Sequence, residues 1–387
     1  MSAEDKILIT GASENSTVEA KRIQNADIGG GSVILGNAES SLGAIDLSAG
    51  FWAKGEGSID VYAEKINAGE IVVGNKGKSG VIRFNNPNQT IITGKIGAGQ
   101  DIEGNSVEIV GGTVEVSGGA GLGNNGTLIL GSRDQYVDRM SVGADFTGNG
   151  SQSFWVKNTE VGGVLKINAT FNKLNEAQSI TAKQISSPNT GALVVNAGDV
   201  TVDDRVEISD GGDVWLGSAE NKLGTVILGT EKKNDPGLIR VLDGNLNIFA
   251  NSIAVNAKAQ EGAAAIEMFG YQDKTGDEPS VLQMIGDVVS VNGDIFMGQG
   301  RDYKDGPRTS VDSTLIIKNP ENSDSDQSAI QINGDILTQN LNEDDLVVTT
   351  KVIIDLANER SFLNGSVTDV KGVGAQEDSG TSLGMTN

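Results

Sequence analysis

The 387 residues include no histidine, no cysteine, six prolines and only 4% aromatic side chains. Without histidine there is no imidazole to take a serine proton in a Ser-His-Asp mechanism. Without cysteine there are no disulfides, thiolate nucleophiles or thiolate metal sites. No apolar run approaches the ~20 residues of a membrane-spanning helix, and the opening "MSAEDKILITG" has no apolar segment of signal-peptide length. Basic residues are also scarce, 29 against 52 acidic, for a formal charge of -23. Such a surface repels phosphate backbones and argues against nucleic acid as a partner.

What fills the chain is glycine, 53 residues of it, with Val, Ile, Leu, Asn, Ser, Thr and Asp. The glycines keep no three-residue period, so collagen is excluded. Apolar runs such as "SVILG", "TLILG" and "VWLG" return throughout, which excludes disorder. Runs of four to seven residues, "KILITG", "GAIDL", "EIVVG", "GVIRF", "SVEIVGGTVEV", are separated by Gly, Asn or Asp. Apolar residues alternate within them, as Ile59, Val61 and Ala63 do, the period of strands with one face in a core and one in water. Only residues 250–269, "ANSIAVNAKAQEGAAAIEMF", leave helix and strand equally open.

Several phrases recur. "LGNAESSLG" at 35–43 returns as "LGSAENKLG" at 216–224, and the match extends without a gap from Ile34 to Leu47 against Trp215 to Leu228. "SVNGDIFMG" (290–298) and "QINGDILTQ" (331–339) share an apolar-Asn-Gly-Asp-Ile core, with "KINAGEIVVG" (65–74) and "VVNAGDVTVD" (194–203) as longer variants. Asn-Gly and Gly-Asp pairs suit backbone positions of positive φ, so each phrase reads as strand, sharp corner, strand. "FWAK" (51–54) and "FWVK" (154–157) recur as well. A duplicated phrase argues for a reused structural unit rather than a unique active centre, and Gly36 and Gly217 are expected to share a backbone conformation. Because the spacing is irregular, the expected fold is all-β: a right-handed parallel β-helix, or β-solenoid, with coils of roughly 20 to 25 residues and ejected loops. The polar segments 231–237, 270–280, 298–313 and 318–328 are the expected loops, on a single solenoid spanning 1–387.

The stretch "KVIIDLANERSFLNGSVTDVKGVGAQEDSGTSLGMTN" resembles the late passenger region of Gram-negative autotransporters: an apolar strand, a phrase like "SFLNGSVTD", a Gly-containing loop, then a strand like "TSLGMTN". The resemblance covers residues 345–387, the late-passenger coils, and is compositional elsewhere. It implies a passenger fragment displayed on the cell surface or secreted, extracellular, with the export signal and the outer-membrane barrel lying outside these residues, and no membrane insertion of the fragment itself.

Chemistry has few places to reside. "EDSGTS" (377–382) is similar to the nucleophile motif of serine protease passengers, yet Ser379 has no histidine partner, and a polar turn is expected. The carboxylates at 203–204, 209–213 and 343–345 are expected at solvent corners; calcium at an acidic corner is the one cofactor kept open. "GGAGLGNNG" (118–126) reads as a flexible corner, and the FWxK pairs as coil-covering aromatics rather than a sugar platform. The expectation is therefore a non-catalytic adhesin binding host glycan or protein, or associating with itself, with no metal or catalytic residues. Tyr271, Arg301, Tyr303 and Arg308, in the longest loops, are the candidate partner-binding residues, since Tyr and Arg most often anchor interfaces. The alternatives are a passive stalk and a carbohydrate-active β-helix enzyme.

Overall fold

The computed structural model describes residues 6–9, 16–25, 31–74, 79–98, 105–123, 126–189, 191–196, 198–209, 211–229, 237–257, 263–268, 280–297, 313–320, 328–338, 342–343, 346–347, 350–355, 360–369 and 382–386. Among these there is no helix, and the ladders are parallel except for one two-residue antiparallel pair, Asn342–Glu343 with Leu346–Val347. The fold is a parallel β-helix. Two compact units divide the chain, Met1–Ala182 and Lys183–Asn387.

In the first unit each coil contributes to three stacks of strands. One stack runs Lys6–Ile9, Ser32–Leu35, Gly57–Val61, Gly80–Phe84, Asn105–Ile109, Gly126–Leu130. A second is formed by Thr90–Thr93, Gly112–Val116 and Val137–Val142 with the early parts of Leu42–Ala53, Ala63–Val73 and Val156–Phe171. The third takes the later parts of Leu42–Ala53 and Ala63–Val73, then Ile96–Ala98, Ala120–Leu122 and the start of Phe146–Phe154. Period-2 alternation turns one set of side chains inward in register on every coil. Leu35, Val61, Phe84, Ile109, Leu130, Phe154 and Phe171 form one such ladder, each at most 3% exposed. Burying a side chain of this kind stabilises by roughly 1.5–3 kcal/mol, and every coil repeats it. Side-chain amides replace ladder bonds where the chain turns. Gln152, 3% exposed, donates to Gly126 O (2.8 Å) and Gly150 O (3.0 Å) and accepts from Leu128 N–H, at a register shift in its strand. Asn25, fully buried, accepts from Lys54 and Gly55 N–H and donates to Gly55 O.

The second unit repeats the plan. Leu193, Val214, Leu246, Leu282, Leu315 and Val352 form a continuous buried ladder. Several of its coils are longer than expected: bonds between neighbouring coils span 32 residues from Asn245 to Asp213 and 41 from Asn333 to Asn292, against 21 from Asn67 to Asp46 and 25 from Arg83 to Glu108 in the first unit. The added length lies in segments outside the described residues, among them most of the four expected loops. The stretch with ambiguous periodicity is strand at both described ends, within Gly244–Asn256 and Ala264–Met268.

The duplicated phrase is one corner used at least three times. Gly36 and Gly217 have φ of 74° and 83°, and Gly131, in "LGSRDQYV", has 68°. Each glycine N–H donates to the preceding coil, to Ile9, Val195 and Ile109 carbonyls at 2.6, 2.8 and 2.7 Å. The following Asn37, Ser218 or Ser132 closes a turn with its side-chain oxygen, accepting from Ser40, Asn221 or Gln135 N–H at 2.7, 3.1 and 3.2 Å. Leu42, Leu223 or Val137 then re-enters the core. The copy at 130–137 escapes a sequence search because the Ala-Glu pair and the second leucine are absent.

The Asn-Gly-Asp corner also has a third copy, "LNGSV" at 363–367. Nδ2 of Asn292 donates to Asn256 Oδ1 (3.0 Å) and that of Asn333 to Asn292 Oδ1 (2.9 Å), with Asn364 continuing toward Asn333 at 3.5 Å. Beside this ladder Asp294 Oδ1 accepts from Asp335 N–H (2.9 Å), and Asp335 Oδ1 from Ser366 N–H (2.7 Å). "VVNAGD" uses the same device, Asp199 accepting from Thr225 N–H at 2.7 Å. "KINAGE" does not: it lies inside the unbroken strand Ala63–Val73, which changes face through a register shift against Leu42–Ala53 rather than at a sharp corner. Nor is "GGAGLGNNG" a flexible corner, since Ala120–Leu122 is a paired strand within it.

Candidate functional site

Tyr271, Arg301, Tyr303 and Arg308 lie outside the described residues, as does Ser379. The described surface therefore supplies the geometry, and it consists of outward side chains stacked in register, one per coil.

On the first stack of the first unit, Asp60, Arg83 and Glu108 are consecutive partners. Arg83 bridges both carboxylates, at 3.4 Å to Asp60 and 3.0 Å to Glu108, and Ser58 and Ser106 hydroxyls hold those carboxylates from the side. Burial alone lowers the basicity of Arg83, but Glu108 and Asp60 outweigh it and hold the guanidinium above its usual value. The second unit repeats the arrangement as Glu207, Arg240 and Glu267, with Arg240 2.7 Å from Glu267. At the nearby bend Arg205 lies 4.0 Å from Asp204 and 3.3 Å from Glu207, so one of the acidic pairs singled out above is engaged with arginine. Asp213 accepts from Asn245 at 2.8 Å. These are charge ladders that relieve repulsion between coils.

The second stack carries an open groove of about 740 Å³ whose lining includes Glu19, Asp46, Asn67, Gly69, Ile92 and Ser117. Glu19, Asp46, Asn67 and Ile92 are consecutive outward partners, and Asn67 donates to Asp46 at 2.6 Å. Two carboxylates and an amide are a thin metal set, and among the described residues no group of three Asp, Glu, His or Cys converges.

At the edge of the first unit, Lys157 joins Asp138 (3.0 Å) and Glu176 (2.9 Å) and lies 4.8 Å from the centre of the Tyr136 ring. Hydrogen bonding by Glu176, then Asp138, holds the ammonium above its ordinary value, while Glu176 is lowered, first by the Tyr136 hydroxyl. This network is exposed and tightly self-satisfied.

The third stack carries Trp52. Phe51 is fully buried and meets Phe84 edge-on at 5.5 Å, so the Phe of "FWAK" is core, as is Phe154 of "FWVK" between Phe146 and Phe171. Trp52 points outward, with the Arg22 guanidinium 4.1 Å and the Lys54 ammonium 3.9 Å from its ring. Its indole N–H is buried and has no acceptor among the described residues. Sequence reading missed Arg22, thirty positions from Trp52, because only coil stacking brings them together.

The fold and these surfaces define the class: a parallel β-solenoid with in-register outward ladders. No protein-family model, curated protein or solved structure matches the chain.

Proposed function

We propose that this chain is a non-catalytic, autotransporter-type passenger acting at the cell surface or after secretion, by adhesion to host glycan or protein or by association between copies. The observation that carries the reading is the outward columns. A stacked coil presents one side chain per rung at ~4.8 Å intervals on each face, a surface suited to an extended partner rather than to a single reacting bond. The lack of histidine and cysteine, and the stretch resembling late passenger coils at 345–387, support it. The fold itself supplies no function.

A glycan and matrix-protein array probed with the chain tests the adhesion reading, and sedimentation over a wide concentration range tests association between copies. Saturable binding to a defined glycan or matrix protein, or concentration-dependent dimers, is expected. A blank array together with a strictly monomeric profile would leave the passive stalk as the better account. Incubation with acidic polysaccharides, with and without calcium, is expected to release no product; turnover would overturn the non-catalytic reading in favour of a carbohydrate-active enzyme.

A further inference from the structure

On the third stack of the first unit the outward partners run Trp52, Val72, Gly97, Gly121, Thr147, Lys166. Glycine in a strand interior weakens it, and is kept for a positive φ, for lack of room, or for close approach of something from outside. The first two reasons fail at Gly97 and Gly121. Neither lies in the left-handed region, and a Cβ built on either meets its nearest neighbours only at 3.9–4.0 Å, ordinary contact distance. One of those neighbours is Cε of Lys95, so the lysine side chain borders the bare patch. Cations gather along this face of a chain whose net charge is -23: Arg22 and Lys54 on Trp52, Lys95 beside Gly97, and Lys166 at the far end. Among the described residues the carboxylates on neighbouring rungs include Glu70, which precedes Ile71 where that residue pairs beside Lys95, and Asp145, whose Oδ1 is committed to Val164 N–H at 2.9 Å.

From this juxtaposition we infer that the Trp52–Lys166 face binds a linear anionic polysaccharide, one carrying carboxylate or sulfate groups. The inference rests on the adhesion reading above and names its ligand class and its residues. Trp52 to Lys166 is five rung steps, about 24 Å at ~4.8 Å per rung, room for several sugar rings laid along the coil axis. The side-chain-free backbone at Gly97 and Gly121 admits ring faces closely, and the Trp52 ring holds two cations at one end. The acidic groups of the polymer pair with Lys95, Lys166, Arg22 and Lys54.

The test measures binding of the whole chain to polygalacturonate and to heparin, with neutral dextran and single-stranded poly(dT) alongside, across a salt series. Binding to at least one of the two anionic polysaccharides, weakening with salt and absent for dextran, is expected. Gly121→Gln, which places a side chain where the structure has room, lowers that affinity at least tenfold with an unchanged strand circular dichroism spectrum. The Lys95→Gln/Lys166→Gln pair lowers it by a similar factor and flattens the salt dependence. No binding to either polysaccharide, equal binding by both variants, or poly(dT) binding as tight as the sugar polymer would each overturn the inference. If array ligands bind the parent and Gly121→Gln chains equally while both polysaccharides fail, adhesion stands and this face is wrong. A blank array with tight, Gly121-dependent polygalacturonate binding sinks host adhesion and keeps the face.

Discussion

Replacing Gly217 by alanine tests the shared corner most directly. At φ of 83° an L-residue costs roughly 1–2 kcal/mol relative to glycine. The added Cβ falls inside contact distance of Phe249 O on the neighbouring coil and 3.0 Å from Asn221 O. Backbone cannot rotate away as a side chain does, so relieving that contact adds about 1–3 kcal/mol, for a total of about 2–5 kcal/mol. Gly36→Ala meets the equivalent obstacle, Tyr62 O at 2.5 Å with φ of 74°, and is expected to lose a similar amount. Gly97→Ala is the internal control: with room and no positive φ it is expected to gain about 0.4–1 kcal/mol by restricting the unfolded chain. Urea midpoints at constant m-value report all three, with hydrogen exchange at the flanking strands to catch loss confined to a few coils. If Gly217→Ala stays within about 0.5 kcal/mol of the parent, or Gly97→Ala destabilises as much, the steric account of these corners is wrong.

Asn333→Ala removes the centre of the asparagine ladder and leaves Asn292 Oδ1 without its donor; a loss of about 1–3 kcal/mol is expected in urea unfolding, more than for Asn364→Ala, whose bond is 3.5 Å. Asp335 is held below the usual carboxylate range, first by Ser366 N–H and then by the Ser366 hydroxyl. A depressed pKa contributes stability that is present above the ordinary Asp value and lost as pH falls through the depressed one, so Asp335→Asn should flatten the fall in stability below about pH 4. An unchanged acid profile would remove that contribution from the account. Phe154→Ala empties the space between Phe146 and Phe171, at 5.7 and 5.0 Å, and should lose about 3–5 kcal/mol by urea unfolding.

Much of the fold is local and so legible in the residues. Alternation in "SIDV" and "GVIRF" announces inward Ile59, Val61, Ile82 and Phe84, because a period of two depends only on the chain's own pleat. Leu-Gly followed by Asn or Ser announces the corner at Gly36 and Gly217, because the turn is closed by its own residues. The same reasoning took "KINAGE" for a corner. Its local chemistry is that of a turn, but pairing on both sides with neighbouring coils keeps the strand continuous through Gly69. "GGAGLGNNG" likewise reads locally as a flexible corner, since the neighbours that hold Ala120–Leu122 in a strand come from other coils.

The sequence by itself determined the class of architecture, the inward residues of each strand and the absence of imidazole and thiol chemistry. These follow from composition and short-range stereochemistry. Only the tertiary structure decided which residues share an outward column: Asp60 with Arg83 and Glu108, Arg22 with Trp52, Gly97 with Gly121. The register between coils depends on the length of every intervening turn, and those lengths, 21 residues at one coil and 41 at another, follow no period that a reader of the chain alone can count.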